Sequence, residues 1–359
     1  SPLDELIAKL SDDSRYIILC CDNTLSPWSK WCIKLGEKLI YMVNSDIGLN
    51  NREYIKEIKK IESDLPKHLI QEKQLFIYHN SRESIPYDTI KIIESSGDID
   101  MHYHIALDNK NDFDRFARFL IGRNIGLCLA GGGAKGNAHI GVYKALIENN
   151  IPIDSVCGTS AGGIVASLIA SGYDVNEIIS ILKESYARKV FKEYTIPYSS
   201  LIATIKVDKD AKLLAAGKNV EDLWLPMFTC AVNITTSKLE VIDRGPLWVA
   251  TRATAALPGI LLPIIRGNSF LVDGGLINNM PGDILLKKFG GKLISVSVSP
   301  EEDMAAKLDQ FPPQFSYFFK QLFKSKSKKK ESSVPNLGSI LMRSILVGSS
   351  AKSREVENI

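Results

Sequence analysis

Apolar residues along this chain fall in short runs separated by polar stretches of helical spacing, a pattern that predicts alternating strands and helices. In residues 1–122 the runs are Tyr16-Ile17-Ile18-Leu19-Cys20, Gln74-Leu75-Phe76-Ile77-Tyr78 and His102-Tyr103-His104-Ile105-Ala106, with Asp112 to Ile121 patterned as a helix. They predict a small α/β domain whose role the sequence does not reveal. In residues 123–300 the strand Ile125-Gly126-Leu127-Cys128-Leu129 leads through a glycine-rich turn into a helical segment ending near Asn149-Asn150. A strand at Asp154 to Cys157 and a helix at Ile164 to Ala170 follow. Met227 to Val232, Leu239 to Ile242, Phe270 to Val272 and Lys292 to Val298 complete a mostly parallel sheet under helices. Residues 200–220 are too irregular in pattern to be assigned to a substrate pocket. Residues 301–359 turn aromatic and then lysine-rich, as an extension.

Composition narrows the class. The chain has 359 residues, 45% hydrophobic and 24% charged, and a formal net charge of +3, which argues against broad nucleic-acid binding. Oligomeric state is left open. Cys20, Cys21, Cys32, Cys128, Cys157 and Cys230 lie in apolar stretches without C-x-x-C spacing, as buried reduced thiols would. The start, Ser1-Pro2-Leu3-Asp4-Glu5, lacks the features of a secretion signal and reads as the start of a fragment. Together these point to a cytoplasmic location. The uncharged run Ser155 to Tyr173 approaches a membrane span in length but is rich in Gly, Ala and Ser, which suits a buried strand, turn and helix better.

The chemistry centres on Gly158-Thr159-Ser160-Ala161-Gly162, a G-x-S-x-G sequence between a strand and a helix. Gly158 and Gly162 permit a sharp elbow that lifts the Ser160 hydroxyl to a helix N-terminus, where developing negative charge is favoured. The five histidines, His68, His79, His102, His104 and His139, all precede Ser160, so the order Ser, Asp, His is impossible. His139 can serve only by proximity in space, and a structural histidine fits its place after the glycine turn. Asp273, in Phe270-Leu271-Val272-Asp273-Gly274-Gly275, lies where a strand meets a tight turn and is the preferred base. A carboxylate is a weak base and needs a direct hydrogen bond to Ser160 in a desolvated setting.

Gly131-Gly132-Gly133-Ala134-Lys135-Gly136 is a second strand-to-helix turn, whose backbone N–H groups can converge on one anionic centre as an oxyanion hole. Lys135 either orients the loop or is a solvated charge. The same glycines fit the dinucleotide fingerprint G-x-G-x-x-G, but its acidic ribose partner is missing: Asp154 opens the next strand instead of ending it. Two glycine turns and an Asp-Gly-Gly turn at one sheet edge favour a nucleophile, an oxyanion hole and a base.

Gly-Gly-Gly-Ala-Lys-Gly, Gly-Thr-Ser-Ala-Gly and Asp-Gly-Gly together resemble the patatin-like phospholipase family over about Asn124 to Pro300. Thr251 to Gly259 and Asn278-Asn279-Met280-Pro281 extend the likeness. The resemblance implies a three-layer α/β/α fold with a Ser160–Asp273 dyad and oxyanion donors around Gly132, Gly133 and Ala134. It departs at Lys135, where Arg is commoner. With an α/β unit in front, the chain is similar to the neuropathy target esterase branch, whose upstream cyclic-nucleotide-binding-like domains are not present in these residues. The implied activity is hydrolysis of phospholipids or lysophospholipids through an acyl-enzyme, with no metal and no organic cofactor. Acyl transfer to another acceptor would use the same residues; a nucleotide-binding module and a silent membrane adaptor are the competing classes.

Met304, Leu308, Phe311, Phe315, Phe318, Phe319, Leu322 and Phe323 recur at helical spacing, interrupted by Pro312-Pro313, and lysines from Lys320 to Lys330 follow. Residues 304–330 can therefore rest on an anionic membrane surface, or pack on the catalytic unit ahead of a solvated lysine run.

Overall fold

The computed structural model describes residues 5, 9–10, 15–22, 26–46, 52–63, 72–83, 85–196 and 198–298. The aromatic and lysine-rich stretch at 304–330 lies outside them. The first elements are α1 (Pro27–Leu35), β1 (Lys38–Asn44), α2 (Arg52–Ser63), β2 (Glu72–His79), α3 (Thr89–Ser96), β3 (Met101–Ala106) and α4 (Lys110–Leu120). Ser26 caps α1 by accepting the Ser29 N–H at 3.2 Å, with Pro27 in the first turn, where its missing N–H costs nothing. The three strands form a parallel sheet in the order β1-β2-β3. β2 is the middle strand, and its continuous run Leu75-Phe76-Ile77 is fully buried, as a strand covered on both faces requires. Tyr16 to Cys20, predicted as a strand, is instead irregular and joins no sheet among the described residues. Ile18 is 74% exposed, and Ile17 and Leu19 on the other face are only half-buried, too little to hold the run in a ladder.

The second half contains β4 (Ile125–Leu129), α5 (Ala138–Glu148), β5 (Ser155–Gly158), α6 (Ala161–Ala170), α7 (Val175–Ala187), α8 (Thr204–Ala215), β6 (Met227–Asn233), β7 (Lys238–Ile242), α9 (Leu247–Thr254), β8 (Ile264–Arg266), β9 (Ser269–Asp273), α10 (Gly282–Phe289) and β10 (Lys292–Val296). β10, β4, β5 and β6 run parallel, whereas β7, β8 and β9 are antiparallel additions. The turns after β6 and β8 are too short for a crossover and can only close hairpins. α8 occupies the stretch where the sequence has no clear pattern; it buries Val207, Asp210 and Ala215 and ends with Ala216 in the left-handed region.

Alternation along β4 divides the core. Leu127 and Leu129 pack under α5, α6, α7 and α9, while Cys128 faces the other way with Cys157, Phe228 and Cys230 against α10. The result is helix, sheet, helix, the three-layer arrangement expected. α4 joins the halves, because Phe119 packs with Tyr103 and Phe76 in the same cluster as Cys128. At its end Arg118 forks onto buried Asp154, which also accepts the Ile125 N–H at 2.8 Å. The run Ser155 to Tyr173 is β5, its elbow and the buried helix α6, and no helix among the described residues is long and apolar enough to cross a membrane. Cys32, Cys128, Cys157 and Cys230 are buried thiols, but Cys20 and Cys21 are exposed, because their segment joins no core.

Candidate active site

Strand register brings Ser160 and Asp273 to one level. β5 pairs with β6 only as far as Gly158 opposite Thr229, and β7 occupies the other edge of β6 from Thr229 to Asn233. β9 must therefore pair on the edge that β5 vacates, and it does so with Asp273 opposite Ala231. Ser160 lies two residues beyond Gly158, as Ala231 lies two beyond Thr229. The antiparallel direction of β9 delivers its last residue beside the elbow.

The elbow is strained. Ser160 has φ 54° and ψ −126°, a conformation that glycine adopts freely and L-residues avoid. Three contacts hold it. The Ser160 N–H donates to Thr254 Oγ1 at 2.9 Å, the Thr159 N–H to the Leu129 carbonyl at 3.2 Å, and Thr159 Oγ1 to the Asn278 carbonyl at 3.0 Å. Gly158 and Gly162 are packed face to face: a Cβ on Gly158 would overlap the Gly162 backbone, and one on Gly162 the Leu129 carbonyl. Ser160 is 7% exposed and stands at the N-terminus of α6, where the unpaired amides of the first turn favour negative charge.

Asp273 is 1% exposed. Its Oδ1 accepts the Gly275 N–H at 2.8 Å, and its own N–H donates to the Ala256 carbonyl at 2.9 Å. Burial raises the carboxyl to about 6, against the Gly275 N–H and the Ser160 side chain, which both favour the charged form. The Ser160 side chain is near enough to favour the charged carboxylate, but buried Oδ2 has no hydrogen-bond partner of ordinary geometry.

The glycine loop lies on the other side of Ser160. A Cβ at Gly131 would strike Asn279 Oδ1 and the Ser160 Cβ, and Gly136 is pressed equally close to Ala161. Gly131 and Asn279 clasp each other: the Gly131 N–H donates to the Asn279 carbonyl at 3.2 Å and Asn279 Nδ2 to the Gly131 carbonyl at 3.1 Å. Gly133 has φ 56° with open space where a side chain would be. Within the loop the Lys135 N–H donates to the Gly132 carbonyl at 3.2 Å, while among the described residues nothing accepts the N–H groups of Gly132, Gly133 or Ala134. Ala134 and Lys135 are exposed. His139 is fully buried, with Nε2 donating to the Ala130 carbonyl at 2.8 Å, and burial lowers its pKa. It is fixed as a brace under the loop.

Thr254, Asn278 and Asn279 thus support the site without having been assigned individual roles from the sequence. The stretches Thr251 to Gly259 and Asn278 to Pro281 were visible, but the contacts their side chains make were not. Asp154 sits at the opposite end of β5 in the grip of Arg118, away from the glycine loop. Among the described residues no group of three or more His, Cys, Asp or Glu is arranged to hold a metal ion.

The Patatin-like phospholipase family model matches residues 127–286, which contain the elbow, the glycine loop and Asp273. Neuropathy target esterase sws of Drosophila melanogaster is 26% identical over 336 residues, 84% of this chain and 23% of that protein. The Drosophila persimilis protein of the same name is 28% identical over 315 residues, 78% of this chain and 21% of its own length. The chain therefore spans about a fifth of the length of these relatives. VipD from Legionella pneumophila superposes with a TM-score of 0.33 at 15% identity, over 48% of this chain and 49% of VipD, a likeness too remote to bear on function. The motifs, the three-layer fold and the family match all fall on the same residues: residues 127–286 match the patatin-like phospholipase family, and the chain as a whole is similar to neuropathy target esterase.

Proposed function

We propose that the chain is a serine lipid acyl hydrolase, of the phospholipase or lysophospholipase type, working through a Ser160–Asp273 dyad. Asp273 accepts the Ser160 proton as Oγ attacks the ester carbonyl, and the N–H groups of Gly132, Gly133 and Ala134 hold the tetrahedral oxyanion. The proton passes from Asp273 to the departing lipid alcohol, leaving an acyl-serine. Water, deprotonated by Asp273, then attacks the acyl carbon, and Ser160 recovers its proton as the fatty acid leaves.

The observation that carries this reading is the buried carboxylate of Asp273 beside a strained serine, with one oxygen unpartnered. An isolated carboxylate is too weak a base to activate an alcohol, and burial to about 6 moves Asp273 towards the working pH. The unoccupied loop amides supply the other half of the chemistry. The names of the relatives, an esterase and a phospholipase family, point to the same class of ester bond. The test is labelling with a fluorescent fluorophosphonate, followed by fatty-acid release from phospholipid and lysophospholipid. Parent protein should be labelled, and Ser160→Ala and Asp273→Asn should not. Folded parent that resists labelling would refute the dyad.

A further inference from the structure

Between α7 and α8, residues 193–195 pair back on residues 201–203 as the two arms of a hairpin. Tyr194 bridges Ile202, the Thr195 N–H donates to the Leu201 carbonyl at 3.1 Å, and the Ala203 N–H to the Glu193 carbonyl at 2.8 Å. Its inner residues are anchored: Val190, Ile202 and Val207 form a small core with Leu261. Its outer residues are not. Tyr194 is 80% exposed, Ile196 86% and Tyr198 97%, with Ile205 beside them at 80% and Phe191 at 49%. So dense a group of bare apolar side chains on a hydrogen-bonded stem marks an interaction surface.

The hairpin is tied to both sides of the candidate active site. The Leu201 and Ile202 N–H groups donate to the Gly259 and Ile260 carbonyls at 2.9 and 3.1 Å, and that strand of chain continues to Ala256, whose carbonyl holds the Asp273 N–H. On the other side the Tyr186 hydroxyl donates to Asn137 Oδ1 at 2.9 Å, at the end of the glycine loop. Charge identifies the partner. Residues 183–212 contain Lys183, Arg188, Lys189, Lys192, Lys206, Lys209 and Lys212 against Glu184, Glu193, Asp208 and Asp210, a net +3 equal to that of the whole chain. Three of those four acids are already neutralised: Glu193 by Lys206, Asp208 by Arg252 and Asp210 by Arg188. Lys183, Lys189 and Lys209 are exposed.

We propose that residues 191–196 and 198–205 form an interfacial anchor for an anionic lipid surface, seating Tyr194, Ile196, Tyr198 and Ile205 at the boundary of headgroups and acyl chains. Tyrosines suit that boundary because their rings are apolar and their hydroxyls wet, and apolar side chains at it reach about 5–10 Å deep. The surrounding lysines meet the anionic headgroups. The anchor rests on the lipid-hydrolase reading for its purpose: it would hold the Ser160 side of the domain against the substrate layer.

The test is flotation of the full chain with vesicles of phosphatidylcholine, with and without phosphatidylserine, comparing parent, Ile196→Asp/Tyr198→Asp and Lys189→Glu/Lys209→Glu. The substituted side chains are largely solvated, so folding should hold, and a thermal melt checks it. The parent should bind phosphatidylserine vesicles in preference to pure phosphatidylcholine. The apolar double variant should lose at least fivefold in binding and in lipid release from vesicles, and the lysine variant should lose the phosphatidylserine preference. Fluorophosphonate labelling without vesicles reads Ser160 alone and separates the two proposals. A parent that floats through the hairpin but is never labelled sustains the anchor and removes the enzyme. Undiminished flotation of the apolar variant, failure of the parent to float, or a change only in oligomeric state would each overturn the anchor.

Discussion

Thr254 Oγ1 accepts the Ser160 backbone N–H at 2.9 Å and donates its own proton to the Cys230 carbonyl at 2.6 Å. One fully buried hydroxyl thus ties the strained elbow to the central strand β6. Thr254→Val keeps the volume but leaves the buried Ser160 N–H without its acceptor, which costs about 1–3 kcal/mol. Denaturant midpoints should fall accordingly, and fluorophosphonate labelling should slow about tenfold if the elbow relaxes by little more than 1 kcal/mol. Thr254→Ser retains both hydrogen bonds and should restore labelling. A valine variant that labels like the parent would show that the elbow holds its shape unaided.

Asp273 should cost stability while it serves chemistry. Its folded-state pKa is about 6 against an ordinary 3.8, so the folded state holds the proton longer and stability declines as pH rises from about 4 through 6. Above that window the loss is constant at roughly 3 kcal/mol. At pH 7.5 Asp273→Asn should therefore unfold at a higher denaturant concentration than the parent, with labelling abolished. In the parent, kcat/KM should drop about tenfold per pH unit below 6, as the base takes up its proton. A flat acid limb would mean another group activates Ser160.

Ser160 occupies a backbone region that costs a non-glycine residue about 1–3 kcal/mol. Ser160→Gly should recover part of this, whereas Ser160→Ala, which keeps a Cβ, should not. Comparing the two inactive variants by urea denaturation isolates the backbone contribution from the loss of the hydroxyl. Equal stabilities would show that the elbow is relaxed.

The contact between the two sheets should weaken in acid. His102 and His104 both donate from Nε2 to the Glu221 carbonyl, at 3.0 and 2.9 Å, and His79 Nε2 donates to His104 Nδ1 at 2.9 Å. That chain requires His104 neutral, since its second nitrogen must accept. Burial lowers His102 to about 4 and His104 well below the usual histidine range. Their contribution to stability is complete above about 6.5 and is lost as pH falls towards 4. Hydrogen exchange across β3 and around Glu221, corrected for intrinsic rate, should be faster at pH 5 than at pH 7.5. Unchanged protection would show that the histidines are not the acid-sensitive link.

Some of this molecule was legible in one dimension because the signals are local. The glycines at 131–133, 158 and 162 mark turns where backbone meets backbone, and the alternation of Leu127, Cys128 and Leu129 reads directly as a strand buried on both faces. The order of histidines around Ser160 excludes one triad without any coordinates. Tyr16 to Cys20 misleads for the same reason: it has a strand's composition but no neighbouring edge. α8 was missed because its buried residues include Asp210, whose charge is balanced by Arg188 from another helix.

The sequence by itself determined the elbow, the glycine loop, Asp273 and the α/β class, since each is written in residues that touch their chain neighbours. Only the tertiary structure decided that β9 runs antiparallel along the edge β5 leaves open, that Thr254 and Asn279 hold the two turns, and that Tyr194, Ile196 and Tyr198 stand bare near them. Strand edges and hydrogen-bond partners are allotted between segments many residues apart, and hydrophobic periodicity reports which face a residue prefers without naming what will cover it.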